Sequence, residues 1–271
     1  MGEVSEAVPP CAHLNAEATL PGFPDTAPMP LPTPIKSRLD QLWHATDADY
    51  REKILDALPT GHDLRLLDVG CYDGSFTEQL AQRIGIDPQH VTGIEVVDEL
   101  RSLAQARGFE VRAGDLEEPW PFEDESFDVV HANQVMEHVK RLDHFVSEVR
   151  RMLRPGGRAV ICTENLASWH NIAALVLGYV PFSLTNISAK GPVGNPYALH
   201  LDDANPNESE PQQHIHVVTH VGLRAIFEMH GFTIAGEFAG GYYPLFGRLG
   251  SRVSQRRPKH AHFIGIVAER S

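Results

Sequence analysis

The stretch from Leu64 to Thr77 restricts the choice of fold more than any other part of the chain. It starts with an apolar run through Val69, typical of a buried parallel strand, and then turns at Gly70. The turn passes Gly74 and enters a helical pattern, whose first amides are unpaired donors for an anionic group. The two glycines allow backbone angles and close approaches that a Cβ atom would obstruct. We therefore predict a strand, turn and helix that bind a nucleotide-like ligand.

The turn differs from the dinucleotide-binding fingerprint G-x-G-x-x-G, because Tyr72 stands where the second glycine would be. A pyrophosphate is therefore not the favoured ligand. A second apolar strand, Val91 to Ile94, ends at Glu95, from which a carboxylate can accept both hydroxyls of a ribose. The two motifs in register favour a nucleoside ligand over an ordinary strand-to-helix turn.

Together, Asp68-Val69-Gly70-x-x-x-Gly74 and Glu95 resemble the first two motifs of the class I S-adenosylmethionine-dependent methyltransferases. Met136-Glu137-His138-Val139 and Leu153-Arg154-Pro155-Gly156-Gly157 resemble the later motifs of its small-molecule members. The resemblance implies an α/β, Rossmann-like fold: a seven-stranded, mostly parallel sheet with one antiparallel edge strand and helices on both faces. It also implies an enzyme that uses S-adenosylmethionine and releases S-adenosylhomocysteine.

The resemblance further implies which residues hold this cofactor. Glu95 takes the ribose, and the acid of Gly114-Asp115-Leu116 accepts a hydrogen bond from the adenine amino group. The full predicted set is Asp68, Gly70, Tyr72, Gly74, Glu95, Asp115, Leu116 and Asn133.

A methyl acceptor that is a hydroxyl needs a base to take its proton as the new bond forms. His138 is the first prediction for this base, because it follows the fourth strand, Ser126 to Asn133, at the edge where ligands bind. His144 is second, and Glu164, His170 and His216, in the segments after the fifth strand, are further candidates. The alternative for His138 is a purely structural histidine that packs or caps the following helix.

A divalent cation such as Mg²⁺ is an alternative aid to catalysis. Glu137 beside His138 resembles part of the Glu/His constellation that binds magnesium in some quinone-type O-methyltransferases. Gln134 stands where the first carboxylate of that pattern would be, and no third hard ligand is evident nearby in sequence. We therefore assign no residue to a metal and leave a bound Mg²⁺ as an open alternative.

Several segments resemble methyltransferases that decorate sugars in bacterial polysaccharide or glycoside pathways. Aromatic faces stack on the C–H surfaces of sugars, and polar side chains read hydroxyls, so a saccharide is the first prediction for the acceptor. O- or C-methylation of a quinone- or polyketide-type metabolite is the alternative. A non-catalytic cofactor-binding scaffold and an RNA or protein methyltransferase are hypotheses of another class. The segments are Ser168 to Asn171, His214 to His216, Gly241 to Pro244 and His260 to Phe263.

The composition sets the domain organisation. A chain of 271 residues that is 42% apolar can bury one substantial core. Prolines recur through residues 1–34, which we predict to be a flexible arm before one methyltransferase domain, residues 35–271. A Pro/Gly/Asn-rich region within residues 164–218 predicts an inserted lid that binds the acceptor.

The charge balance bears on partners. A net charge of −13 opposes binding of nucleic acid, and we predict the one basic run, Arg248 to Lys259, to be a solvated loop. Three cysteines without framework spacing fit a reducing cytoplasm. We expect no signal peptide and no membrane span, hence a cytoplasmic protein acting on a small molecule, and a homodimer stays open.

Overall fold

The computed structural model describes residues 33–188, 193–197, 213–245 and 247–271. The predicted arm, residues 1–34, lies outside the described residues except for its last two. Residues 189–192 and 198–212 of the predicted insertion lie outside them as well.

In the described part of the chain, seven strands form one sheet in the order β3-β2-β1-β4-β5-β7-β6. Strands β1 to β5 are parallel, and β7 is antiparallel to both of its neighbours. The predicted fold class is confirmed, although the reversed strand lies one place in from the edge, because β7 returns between β5 and β6. The strands are β1 Leu66–Val69, β2 Val91–Ile94, β3 Glu110–Arg112, β4 Phe127–Asn133, β5 Leu153–Glu164, β6 Phe232–Gly240 and β7 Phe263–Arg270.

Helices cover both faces of this sheet. One apolar cluster contains Phe145 and Phe227 from two helices, and the other contains Tyr50, Ile54 and Leu80 from helices on the opposite face. None of the helices in the described ranges combines the length and the apolarity needed to cross a bilayer. The helices are α1 Thr33–Ala57, α2 Ser75–Ile84, α3 Asp98–Ala106, α4 Leu142–Met152, α5 Trp169–Val176, α6 His220–Met229 and α7 Gly247–Arg256.

The prediction of a loop at the basic run was wrong, because residues 247–256 form α7 and a 3₁₀ turn, Pro258–His260, follows. The buried residues of this helix are Gly250 and Ser254, and the Ser254 hydroxyl donates to the Ala239 carbonyl of β6 at 3.0 Å. A helix that buries glycine and serine lacks the large buried apolar residues by which a helix is recognised in a sequence.

The segment Arg154-Pro155-Gly156-Gly157 belongs to β5, which already begins at Leu153. Leu153 pairs with Phe127 of β4, and the register then shifts before Val129 pairs with Arg158. Gly156, with φ of +77°, lies in this irregular stretch. The Pro-Gly-Gly segment is therefore an irregularity within the strand pair, where the sheet accommodates extra residues.

Gly265 of β7 provides a test of the sheet packing. A Cβ atom there would lie 2.2 Å from Cζ of Phe238 on β6, so Gly265→Ala should lower the free energy of unfolding by about 1–3 kcal/mol in urea titrations. Gly236→Ala is the matched control, because its Cβ would meet Val267 at an ordinary 3.5 Å. Equal losses in the two variants would contradict this packing.

Candidate cofactor and acceptor site

A crevice of about 840 Å³ opens where parallel strands of the sheet end. Its lining includes Gly70 after β1, Glu95 after β2, Asp115 after β3 and Gln134 after β4. The chain order reverses between β1 and β4, and such a reversal leaves a gap between the connections on either side. Both its position and its size suit a small-molecule ligand.

Glu95 is held in place by backbone amides. One carboxylate oxygen accepts from the Tyr72 amide at 3.0 Å, and the other accepts from the Val97 amide at 2.9 Å. The Glu95 residue is only 7% exposed, yet it lines the crevice. Each carboxylate oxygen has further acceptor capacity, so the side chain is oriented in advance for two donors such as ribose hydroxyls.

The glycine turn after β1 approaches the crevice closely. Gly70 has φ of +68°, and a Cβ atom on it would lie 2.7 Å from a methyl group of Val135. Tyr72 also has positive φ, +52°, and its exposed ring borders the crevice. Substitution of Gly70 would therefore strain the backbone and displace the wall of the crevice.

Asp115 and Leu116 line the crevice after β3. Asp115 is exposed, and its Oδ1 accepts from the Glu117 amide at 2.9 Å. Val97 and Leu100, between β2 and α3, line the crevice too and were not predicted. The signal in the sequence was their position just after Glu95.

Three of the predicted cofactor residues do not line the crevice: Asp68, Gly74 and Asn133. The Asp68 carboxylate accepts from the Thr77 hydroxyl at 2.5 Å and lies 2.7 Å from Nδ1 of His131. Both of its oxygens are thus committed inside the protein, where they tie β1 to α2 and β4. Gly74 caps α2 in a left-handed conformation, with φ of +78°.

His138 lines the crevice, and its protonation pattern follows from its partner. Nδ1 lies 3.1 Å from the Gln213 carbonyl, which can only accept, so Nδ1 carries the hydrogen and Nε2 keeps its lone pair. Burial, aided by the nearby His214, lowers the pKa of His138 to about 4. The ring is therefore neutral at physiological pH.

His144 lies apart from His138. His144 lies in the first turn of α4, and its Nε2 is 3.1 Å from the Glu118 carbonyl. His144 does not line the crevice. The structure thus places the first candidate base in the crevice and the second outside it.

Glu164 and His170 belong to a mostly buried group of titratable side chains next to the crevice. The Glu164 oxygens lie 3.9 Å from Nε2 of His262 and 3.9 Å from Nδ1 of His214. Burial opposes ionisation of Glu164, but these histidines hold its pKa at about 2. The rings of His170 and His262 lie 4.5 Å apart, and Tyr243 packs against both at 5.3 Å. His214 connects this group to the crevice, which it also lines.

Glu137 lies in a 3₁₀ turn after β4 and is fully buried. Burial raises its pKa to about 8. Its Oε2 accepts from the Thr163 hydroxyl at 2.9 Å, while Oε1 is buried without a hydrogen-bond partner among the described residues. Ligand atoms of Glu137, His138 and His214 lie within 4.8 Å of one another, so these residues fit a divalent cation. The sequence indicated His214 only as part of a segment for the acceptor. It did not indicate His214 as a partner of Glu137 and His138, because a long segment of chain separates it from them.

Residues 67–161 match the family model described as a methyltransferase domain. This region of the chain is a methyltransferase domain. The rat mitochondrial ubiquinone biosynthesis O-methyltransferase is 32% identical over 130 residues, which are 43% of this chain and 37% of the rat protein. The alignment thus spans less than half of that relative.

Solved structures resemble the methyltransferase domain in fold. An S-adenosylmethionine-dependent methyltransferase from Mesorhizobium loti has a TM-score of 0.53 at 17% identity, over 81% of this chain and 96% of that one. A geranyl diphosphate C-methyltransferase from Streptomyces coelicolor, in complex with Mg²⁺, geranyl diphosphate and S-adenosylhomocysteine, has a TM-score of 0.54 at 15% identity, over 90% and 86%. At these identities the likeness establishes the fold.

Proposed function

We propose that the protein transfers the methyl group of S-adenosylmethionine to a hydroxyl of a small-molecule acceptor, with His138 as the base. The observation that carries this proposal is that a neutral imidazole lines the same crevice as the amide-held Glu95. A base and a ribose anchor in one crevice are what an O-methyltransferase needs.

The proposed reaction is an in-line displacement. The acceptor oxygen forms a bond to the methyl carbon while the bond from that carbon to the sulfonium sulfur breaks, and S-adenosylhomocysteine leaves. The hydroxyl proton goes to Nε2 of His138, and the Gln213 carbonyl stabilises the imidazolium through the hydrogen on Nδ1. The cofactor supplies the activation, so the protein mainly positions the reactants and excludes water.

A phenolic hydroxyl is the first acceptor class within this proposal. The pKa of His138, about 4, makes it a weak base, which suits a phenol better than the less acidic hydroxyl of a sugar. The name of the rat relative, which places it in ubiquinone biosynthesis, supports this choice. A saccharide is the second class, supported by the buried polar groups of Glu164, His170 and His262 beside the crevice.

A methyl-transfer assay with two matched acceptor panels tests the proposal. Catechols and phenols should yield S-adenosylhomocysteine and methyl ether in equal amounts, while mono- and disaccharides at the same concentration should yield much less. Turnover with saccharides and none with phenols would overturn the proposal that the acceptor is a phenol. Tight binding of S-adenosylhomocysteine without turnover on any acceptor would favour the hypothesis of a non-catalytic, cofactor-binding scaffold.

A metal-assisted reaction is the second mechanism at this site, because Oε1 of Glu137 lacks a partner among the described residues. Glu137, His138 and His214 would hold the cation, which would supply a lower pKa for an acceptor hydroxyl. If His138 acts as the base without a bound metal, as we propose, turnover should survive treatment with a chelator. A loss that added Mg²⁺ or Mn²⁺ restores would instead identify the metal mechanism.

A further inference from the structure

A second groove, of about 610 Å³, lies between α6 and the end of α7 and shares no lining residue with the crevice. We call it the basic groove. One side is lined by His220, Arg224 and Glu228 of α6 and by Glu237 of β6. The other side is lined by Arg256, Arg257, Pro258, Lys259 and His260.

The two sides differ in how their charges are satisfied. The Arg224 guanidinium pairs with Glu237 at 2.7 Å and with Glu228 at 3.0 Å. Arg256, Arg257 and Lys259 are exposed and make no ion pair with a carboxylate of the described residues. Three such cations in one concavity of a chain with net charge −13 concentrate positive potential there.

His220 provides a second, independent observation. It lines the basic groove, is only 4% exposed, and pairs through Nε2 with Glu237, while its Nδ1 has no hydrogen-bond partner among the described residues. The nearest carboxylate oxygen, on Glu237, is 3.2 Å from Nε2. Buried polar groups in native proteins are nearly always hydrogen-bonded, so a ligand group in the groove would complete this environment.

The far wall of the basic groove is firmly held. Asn165 donates from its side-chain amide to the carbonyls of Lys259 and Ala261 at 3.0 and 2.8 Å. Nδ1 of His260 lies 2.8 Å from the Ala167 carbonyl, and its ring stacks on Trp169 at 4.4 Å. These contacts fix the turn that presents the cations, so the groove has a defined shape.

We propose that the basic groove is a second ligand site that binds a small molecule carrying one or two phosphate groups. Guanidinium groups bind phosphate oxygens in a bidentate manner, and the volume is that of a small-ligand pocket. Glu228 and Glu237 would accept from hydroxyls of the same molecule. The net charge of −13 of the whole chain opposes binding of a long polyanion, which would extend beyond the groove.

Isothermal titration of the full chain with inorganic pyrophosphate tests the proposal. We expect saturable binding of one pyrophosphate per chain, weakened at least about tenfold by the double variant Arg256→Glu, Arg257→Glu. The double variant Arg248→Glu, Arg252→Glu is the matched control, because it makes the same charge change at two exposed residues of α7 that do not line the groove. Its affinity for pyrophosphate should stay within about twofold of the wild type.

S-adenosylhomocysteine affinity, unchanged in every variant, reports an intact fold. If Arg256→Glu, Arg257→Glu fails to fold, Lys259→Gln with Arg257→Gln removes charge more gently and should still weaken pyrophosphate binding. The proposal is overturned if pyrophosphate does not bind, or if Arg248→Glu, Arg252→Glu loses as much affinity as Arg256→Glu, Arg257→Glu. Binding only to RNA or only to vesicles with anionic lipid would overturn it as well.

Discussion

Glu95→Ala is expected to weaken binding of S-adenosylhomocysteine by about 100-fold or more. Hydrogen bonds to a charged group contribute roughly 1.5–3 kcal/mol each, and the variant loses the two proposed bonds to the ribose. It also releases the Tyr72 and Val97 amides, which Glu95 now holds at 3.0 and 2.9 Å. Isothermal titration with S-adenosylhomocysteine measures the effect.

Glu99→Ala is the control for this change. Glu99 is exposed in the first turn of α3, close to Glu95 in sequence, and does not line the crevice. Its substitution should leave the affinity within about twofold. An unchanged affinity in Glu95→Ala, or the same loss in both variants, would refute the assignment of the ribose to Glu95.

His138→Gln is expected to lower kcat by roughly 10²- to 10⁴-fold, the range that a positioned general base contributes. Glutamine is similar in size and can still hydrogen-bond, but it cannot accept the acceptor's proton. The affinity for S-adenosylhomocysteine should stay nearly unchanged, because the crevice and Glu95 are intact. The measurement pairs kcat on a methylated acceptor with a cofactor titration.

The matched control is His144→Gln, the same chemical change at a histidine that does not line the crevice. Its kcat should remain close to that of the wild type. If His144→Gln loses turnover while His138→Gln keeps it, His144 takes the proton. Full turnover in both would move the base to the neighbourhood of Glu164, where His170 and His262 lie.

The glycine turn and Glu95 could be predicted because their geometry is local. Gly70 needs positive φ within a single turn, and Glu95 follows directly from the end of β2. Both signals therefore lie within a few residues of the strands that carry them. The parallel part of the sheet follows from the same repeating unit of strand and helix.

Side-chain hydrogen bonds between neighbouring strands could not be predicted in the same way. Asp68 has the motif position of a cofactor ligand, but His131 is 2.7 Å away on β4 and, with Thr77, occupies its carboxylate. Nothing near Asp68 in sequence indicates this contact, because His131 is brought to it only when β1 and β4 pair.

The contact between the end of the insertion and the turn after β4 could not be predicted for a related reason. The Glu137 carbonyl accepts from the amides of Ile215 and His216 at 2.6 and 3.1 Å, and this contact places His214 beside His138. A pairing across so many intervening residues leaves no periodic signal.

The helix α7 was not predicted for another reason. Its buried residues are Gly250 and Ser254, which are not the large apolar residues that mark the buried face of a helix in a sequence.

A crystal structure with S-adenosylhomocysteine bound tests most directly whether the crevice at the ends of β1, β2 and β4 holds the methyl donor. We predict both ribose hydroxyls within hydrogen-bond distance of the Glu95 carboxylate, and the sulfur closer to His138 than to His144. S-adenosylhomocysteine bound elsewhere, or bound in the crevice with its ribose away from Glu95, would contradict the assignment.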